Sequence, residues 1–198
     1  MAHKPNAVRN WPRPSTLLRQ IPRIRVHVAA GGVIAYPTES CYGLGCDPRN
    51  YRAVKKILSI KGRPQRKGMI LVASSFDQLR HYVAPITFQE RVQLDAHWPG
   101  PFTFVMDKAP GTPRWLTGRF NSLAVRVTAH PDASRLCRAL NMALVSTSAN
   151  RGGMKPFKTH RQCLEAFGNR VLVLPGRVGR RKRPSTIMDL RSGHILRK

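Results

Sequence analysis

Short apolar runs alternate with helical repeats along most of this 198-residue chain. The apolar runs are typical of buried strands and lie at 33–36, 69–73, 102–106, 123–128, 143–145 and 171–174. Apolar residues at helical spacing predict helices at about 22–30, 47–62, 76–82, 88–97, 131–140 and 159–167. Short strands are also expected at 185–189 and 194–197. Because some strands follow one another directly and others are separated by helices, the pattern predicts an α/β fold with a mixed sheet.

Proline and glycine mark the predicted breaks between these elements. Pro64 disfavours helical backbone at the residue before it, so the second helix is expected to end at Gly62 or Arg63. Residues 40–47 contain Gly43 and Gly45, and this glycine-rich stretch indicates a loop with several turns.

The chain carries a large excess of positive charge. Its 35 Lys and Arg against 9 Asp and Glu give a net charge of +26, which repels itself unless anions offset it. Nucleic acid is therefore the favoured partner, and an anionic membrane surface is the weaker alternative because no long basic amphipathic helix is evident.

Lys4, Arg9 and Arg13 belong to an aperiodic, proline-containing stretch, so residues 1–18 are predicted to form a flexible basic arm before one domain at 19–198. A second basic cluster comprises Arg177 and residues 180–183.

Several classes of site lack their motifs in this sequence. Its four cysteines have neither CxxC spacing nor histidine partners, so we expect no structural metal and a reducing compartment. The HExxH, G-x-S-x-G, P-loop and GxGxxG patterns are also missing. Because there is no secretory segment and no apolar run near 18 residues, we expect a cytoplasmic protein without a membrane span.

Two separated segments combine hydroxyl, amide and cationic side chains. The first is residues 36–40 (Tyr-Pro-Thr-Glu-Ser), continued by Lys61, Arg63 and Lys67; the second is residues 146–150 (Ser-Thr-Ser-Ala-Asn). Each segment follows an apolar run and is expected at a strand end, where open α/β sheets place ligands. Such side chains hold phosphate and carboxylate groups, so a nucleotide-using site is favoured over a metal or covalent-nucleophile site.

The cations and hydroxyls of these segments also have structural explanations. Cations at a helix C-terminus complement the helix dipole by about 0.3–1 kcal/mol each, although Pro64 and Gly68 would fix a loop in which three cations converge on one anion. Residues 146–150 are equally typical of a helix N-cap or an Asx-turn.

For two charged side chains, the sequence leaves two possible partners each. Glu39 either orients a ligand amine or holds an Arg or Lys. Arg126 lies in an otherwise apolar strand and needs an anion, which is either a ligand carboxylate or a structural acid.

The order and spacing of several motifs resemble the short, single-domain form of the YrdC/TsaC family of threonylcarbamoyl-AMP synthases. These motifs are residues 31–40 and 42–45, Lys61-x-Arg63, residues 98–101, 122–126, 146–150 and 184–187. The resemblance covers the chain from about residue 20 and implies a twisted mixed sheet, parallel and antiparallel, flanked by helices and lining a basic concave cavity. It implies an enzyme that condenses L-threonine, bicarbonate and ATP into threonylcarbamoyl-AMP with release of pyrophosphate, with Mg²⁺ carried by ATP.

The same resemblance implies partners and residue roles. The product would serve N6-threonylcarbamoyladenosine formation beside the tRNA anticodon, through downstream threonylcarbamoyl transferase proteins. Lys61 and Arg63 would stabilise charge, without a covalent nucleophile. The implied ATP-binding residues are Lys61, Arg63, Lys67, Ser122, Ser148 and Asn150. The implied threonine-binding residues are Thr38, Arg126, Ser146, Ser185 and Thr186.

Two other functions compete with the synthase. One is a non-catalytic RNA-binding or ribosome-maturation module that uses the same basic cavity. The other is a related carbamoyl-transfer domain, which ordinarily forms part of a longer chain. RNA binding by charge alone does not require the hydroxyl and amide groups of residues 146–150, and the chain is only 7% aromatic, with no evident platform for base stacking. The sequence therefore favours the synthase, with RNA affinity as a secondary property.

Overall fold

The computed structural model describes residues 17–198. The predicted basic arm at 1–18 falls almost entirely outside this range, and Leu17 is buried in the core of the domain. Across residues 17–198, no helix is both long enough and apolar enough to cross a membrane.

Six α-helices form within the described range, and most coincide with the predicted ones. Their bounds are α1 Ile21–Ala29, α2 Tyr51–Lys61, α3 Phe88–His97, α4 Arg114–Thr117, α5 Pro131–Leu140 and α6 His160–Phe167. The side chain of Asn50 caps the start of α2, and Gly62 ends this helix in the left-handed conformation (φ 58°), as Pro64 predicts. Thr87 and Thr159 begin α3 and α6 with capping boxes.

In the part of the chain that the structure describes, nine strands form one mixed sheet, which confirms the predicted fold class. Their bounds are β1 Ile34–Pro37, β2 Tyr42–Cys46, β3 Ile70–Ala73, β4 Phe102–Asp107, β5 Ser122–Val127, β6 Leu144–Ser148, β7 Leu172–Val173, β8 Thr186–Asp189 and β9 Ile195–Arg197. The strand order is β7-β1-β2-β6-β3-β5-β4-β8-β9. The pairs β1/β7, β3/β5 and β4/β8 are parallel, and the other neighbouring pairs are antiparallel.

The sheet buries apolar side chains on both faces. One face packs with α1 and α5, where Ile24 and Leu136 meet Ile34 and Leu144. The other face forms a larger core with α2 and α3. The helices α1 and α5 cover only part of their face, and the uncovered part is the floor of a cavity.

Residues 42–46 form a strand, so the predicted turn-rich loop over 40–47 is wrong. Tyr42, Leu44 and Cys46 alternate into the core, as a strand requires. The glycines between them allow close packing, because a side chain has no room at Gly45 and little room at Gly43. A Cβ on Gly45 would lie 2.7 Å from the Tyr36 ring, and one on Gly43 would lie 3.3 Å from Thr38 Cγ2.

Two other expectations need correction. The helical pattern at 76–82 forms only a 3₁₀ turn at Phe76–Gln78, because residues 79–82 form further turns that bury Leu79 and lead to the pairing of Val83 with Lys108. The hydroxyl run from residue 146 lies within β6 rather than beyond its end, because Ser146 and Ser148 continue the ladder with β2. Helix α4 was not anticipated.

Candidate active site

A row of paired residues crosses the sheet at the floor of a cavity. Ser146 of β6 pairs with Ile70 of β3, which pairs with Ala124 of β5. Ala124 pairs with Val105 of β4, and Val105 pairs with Asp189 of β8. These five residues occupy the same face of the sheet. None of them has a long or aromatic side chain, so space remains above this face.

This cavity measures about 670 Å³, within the usual range for small-molecule sites. Its lining contains four basic side chains and one acidic side chain, Asp189. The basic side chains are Arg63, Lys67, Arg126 and Arg197. An anionic ligand would therefore meet more positive than negative charge here.

Thr38 lies on one wall, immediately after β1. Its hydroxyl donates to the carbonyl of Cys41 over 2.7 Å, and its own carbonyl accepts from the amide of Gly179. The side chain is buried and lines the cavity, so its oxygen can still accept from a ligand.

Glu39 is the structural acid that pairs with Arg126, so the partner of Glu39 is an arginine of the protein itself. Its Oε1 accepts from the Thr128 hydroxyl over 2.7 Å, and its Oε2 lies 3.4 Å from Arg126 Nη2. Burial alone would raise the pKa of Glu39, but the Arg126 guanidinium and the Thr128 hydroxyl outweigh burial and hold the pKa below its usual value.

Arg126 keeps hydrogen-bonding capacity beyond this pair. Its Nε is buried and has no hydrogen-bond partner among residues 17–198, and the same is true of Glu39 Oε2. A guanidinium has five N–H donors, so contact with one carboxylate oxygen leaves donors for a second anion. Since Arg126 also lines the cavity, the two alternatives for its partner are compatible.

Arg63 is held by backbone carbonyls instead of an acid. Its Nη2 donates to Gly68 over 3.0 Å and to Lys67 over 3.3 Å, and its Nε has no partner within the described range. Burial lowers the pKa of Arg63 from its ordinary value. Arg63 and the exposed Lys67 therefore present charge from the loop after α2 to the cavity.

Ser146 joins the two predicted segments by a direct contact. The buried hydroxyl of Tyr36 in β1 donates to Ser146 Oγ over 2.8 Å, across 110 residues of sequence. Burial raises the pKa of Tyr36, so the phenol stays protonated and remains a donor.

Lys61 and Asn150 lie behind the wall to which Ser148 belongs. Lys61 Nζ donates to the carbonyls of Ser148 and Asn150 and to Asn150 Oδ1, the last two over 3.0 and 2.9 Å. Both side chains are buried, and neither residue is among those that line the cavity. Burial, followed by the charge of Arg63, lowers the pKa of Lys61 to about 8.

The C-terminal strands complete the cavity. Ser185 lines it and accepts from Thr103 Oγ1 over 2.9 Å, whereas Thr186 lies outside the set of lining residues because strand side chains alternate. Arg197 of β9 donates to the Ser185 carbonyl over 2.9 Å and also lines the cavity. Sequence reasoning missed Arg197, whose only signal was a cation in the predicted strand 194–197.

Of the eleven predicted site residues, eight line this one cavity. They are Thr38, Arg63, Lys67, Ser122, Arg126, Ser146, Ser148 and Ser185 on the lining, with Lys61, Asn150 and Thr186 outside it. Within residues 17–198, no group of three or more His, Cys, Asp or Glu side chains could hold a metal ion.

Comparison with known proteins identifies relatives over most of the chain. The family profile named for Sua5, YciO and YrdC, which is described as "Telomere recombination", matches residues 26–198. A protein of Chromobacterium violaceum named threonylcarbamoyl-AMP synthase is 52% identical over 184 residues, which are 93% of this chain and 94% of that protein.

Two solved structures share the fold. Sua5 of P. abyssi, crystallised with L-threonine, matches with a TM-score of 0.81 and 31% identity. The match covers 86% of this chain and 51% of that one, so this chain spans about half the length of Sua5. YciO of E. coli matches with a TM-score of 0.80 and 26% identity, over 94% of this chain and 92% of that one.

We predict that Glu39→Gln lowers the free energy of unfolding at pH 7 by about 2 kcal/mol, because it removes the charge that faces buried Arg126. The folded-state pKa of Glu39 lies below the ordinary 4.5, so its contribution is complete above pH 4.5 and is lost as the pH falls through the lowered pKa. Urea unfolding at a series of pH values should therefore show a difference between parent and variant that shrinks below pH 4.5.

Glu165→Gln is the matched control for this pH series. Glu165 pairs with Arg161 on the surface, and its side chain is 62% exposed, so its loss should cost less than about 0.5 kcal/mol. A Glu39→Gln difference that stays constant from neutral to acidic pH would contradict the assignment.

Proposed function

Because the chain belongs to the Sua5/YciO/YrdC family, we propose that it condenses L-threonine, bicarbonate and ATP into L-threonylcarbamoyl-AMP and pyrophosphate. The observation that carries this proposal is the cavity in which Thr38, Ser146 and Arg126 lie beside the cations of the α2 loop. Such a cavity offers one place for a small zwitterion and another for phosphates.

The amino-acid end of the cavity fits threonine. The spare N–H donors of Arg126 would bind the substrate carboxylate, since charge-assisted contacts of this kind are strong and directional. Thr38 and Ser146 would receive the amine or hydroxyl of threonine, and Ser185 would contact it from the opposite side. Sua5 of P. abyssi, crystallised with L-threonine, supports a threonine site on this fold.

The reaction needs two bond-forming steps and no protein nucleophile. The threonine amine attacks the carbon of bicarbonate, and water leaves as the carbamate forms. A carbamate oxygen then attacks the α-phosphorus of ATP, and the bond to the bridging oxygen breaks to release pyrophosphate. The protein contributes by positioning the three reactants and by neutralising charge.

The phosphate end of the cavity would carry that neutralisation. Arg63 and Lys67 reach it from the loop after α2, Ser122 lies on its floor, and Arg197 adds a cation from β9. We propose that Mg²⁺ enters bound to the triphosphate as part of the substrate, because Asp189 is the only acidic residue among the described residues that line the cavity. Lys61 and Asn150 do not line the cavity and would contribute through their hydrogen bonds to Ser148, which does.

The product is a mixed anhydride whose carbonyl carbon is activated toward amines. We propose that the accepting amine is N6 of the adenosine beside the tRNA anticodon, and that a separate transferase protein catalyses that step in the cytoplasm. The names of the relatives support the synthase reaction, and the net charge of +26 supports an encounter with RNA.

Pyrophosphate release should require all three substrates. With ATP, Mg²⁺, L-threonine and bicarbonate present, a coupled phosphate assay should record steady release, and omission of threonine or of bicarbonate should abolish it. Equal release without threonine, or none with the complete mixture, would reject the synthase. RNA binding without pyrophosphate release would instead favour the non-catalytic RNA-binding module.

Arg126→Met should raise the KM for L-threonine at least about tenfold and leave the KM for ATP within about threefold, because it removes the donors assigned to the threonine carboxylate. Steady-state pyrophosphate release measures both constants. Arg135→Met is the control, since Arg135 lies on α5 with a side chain 42% exposed and should leave both constants unchanged. A raised KM for ATP with an unchanged KM for threonine would place Arg126 at the nucleotide instead.

A further inference from the structure

Lys61 has no N–H donor left for a ligand in this structure. An ammonium group has three N–H donors, and Lys61 Nζ has three oxygen acceptors: the carbonyls of Ser148 and Asn150, and Asn150 Oδ1. The residue is only 5% exposed. Its backbone carbonyl also accepts from the amide of Gly152, so α2 holds the turn after β6 by both main chain and side chain.

Asn150 is equally saturated, and its partners fix the orientation of its amide. Nδ2 donates to the carbonyls of Arg151 and Met154 over 2.9 and 2.6 Å. Carbonyls only accept, so the NH₂ group must face them and Oδ1 must face Lys61 and Ser148. The amide oxygen of Asn150 therefore accepts hydrogen bonds from both Lys61 and Ser148.

This orientation determines the polarity of the Ser148 hydroxyl. Ser148 Oγ lies 2.6 Å from Asn150 Oδ1, and because Oδ1 can only accept, the hydroxyl must donate to it. A hydroxyl has one donor and two acceptor lone pairs, so Ser148 has only lone pairs left. Ser148 lines the cavity, and its hydroxyl can therefore accept from a ligand donor but cannot donate to a phosphate oxygen.

We propose that Lys61 and Asn150 are positioning residues that hold Ser148 as a hydrogen-bond acceptor for a hydroxyl group of the nucleotide ribose. The proposal rests on the proposed function, because it takes the ligand to be ATP. Among the parts of ATP, the ribose hydroxyls and the adenine amine supply donors, whereas the triphosphate supplies acceptors. Of the two donor groups, the ribose is the one next to the phosphates, which Arg63 and Lys67 of the same lining would hold. Lys61 thus contributes to nucleotide recognition through Ser148, and Arg63, which lines the cavity itself, serves the phosphates.

Deoxynucleotides test this division of roles. Isothermal titration calorimetry should show that the parent protein binds either 2′-deoxy-ATP or 3′-deoxy-ATP about tenfold more weakly than ATP, the factor that corresponds to about 1.4 kcal/mol. In Ser148→Ala, Lys61→Met and Asn150→Ala, this preference for the ribose hydroxyl should fall to less than about twofold. Each variant's preference for ATP over AMP should stay close to the parent value.

Arg63→Met is the matched control, with the opposite expected profile. It should keep the preference for the ribose hydroxyl and lose much of the preference for ATP over AMP. Urea unfolding checks that each variant is folded, and Asn150→Ala removes the same network if Lys61→Met does not fold.

Two results would overturn the inference. One is a parent protein that binds ATP and both deoxynucleotides equally. The other is a Lys61→Met variant that keeps the ribose preference and loses the preference for ATP over AMP, as expected for a direct phosphate contact. A parent protein that binds no ATP would reject the proposed function itself, so the two failures are distinguishable.

Discussion

The antiparallel pairing of β2 with β6 is the constraint on which the cavity depends. It places Gly45 opposite Ser146 and Gly43 opposite Ser148, and so brings the segment after β1 against a segment about 110 residues later. The two glycines leave room for this approach, because a side chain on Gly45 would overlap the Tyr36 ring. The hydrogen bond from Tyr36 to Ser146 then fixes the contact between the two walls.

The basic side chains around the cavity favour a bound anion, which would stabilise the folded protein. Burial lowers the pKa of Arg63, and burial together with the nearby Arg126 lowers that of Arg197, so a bound anion would favour the charged form of both side chains. Glu39 offsets part of the charge of Arg126 at 3.4 Å. Phosphate and carboxylate groups would supply the rest, so substrate binding should stabilise the fold by mass action.

Periodicity was sufficient to predict the mixed sheet and most helix positions, and the order of motifs was sufficient to predict the family. The prediction of a loop at Gly43 and Gly45 was wrong, because a sequence does not distinguish a glycine that permits close packing from a glycine that permits a turn. The partner of Arg126 and the saturation of Lys61 depend on contacts across 87 to 89 residues, which no local pattern contains. Arg197 was missed because a single cation near a chain end has no distinguishing spacing.

A crystal structure of the protein with L-threonine and a non-hydrolysable ATP analogue tests the central claim most directly, namely that one cavity holds both substrates. We expect threonine between Thr38 and Ser146 with its carboxylate at Arg126, and the phosphates against Arg63 in the same cavity. Electron density for either ligand outside this cavity, or occupancy by only one ligand at a time, would contradict it.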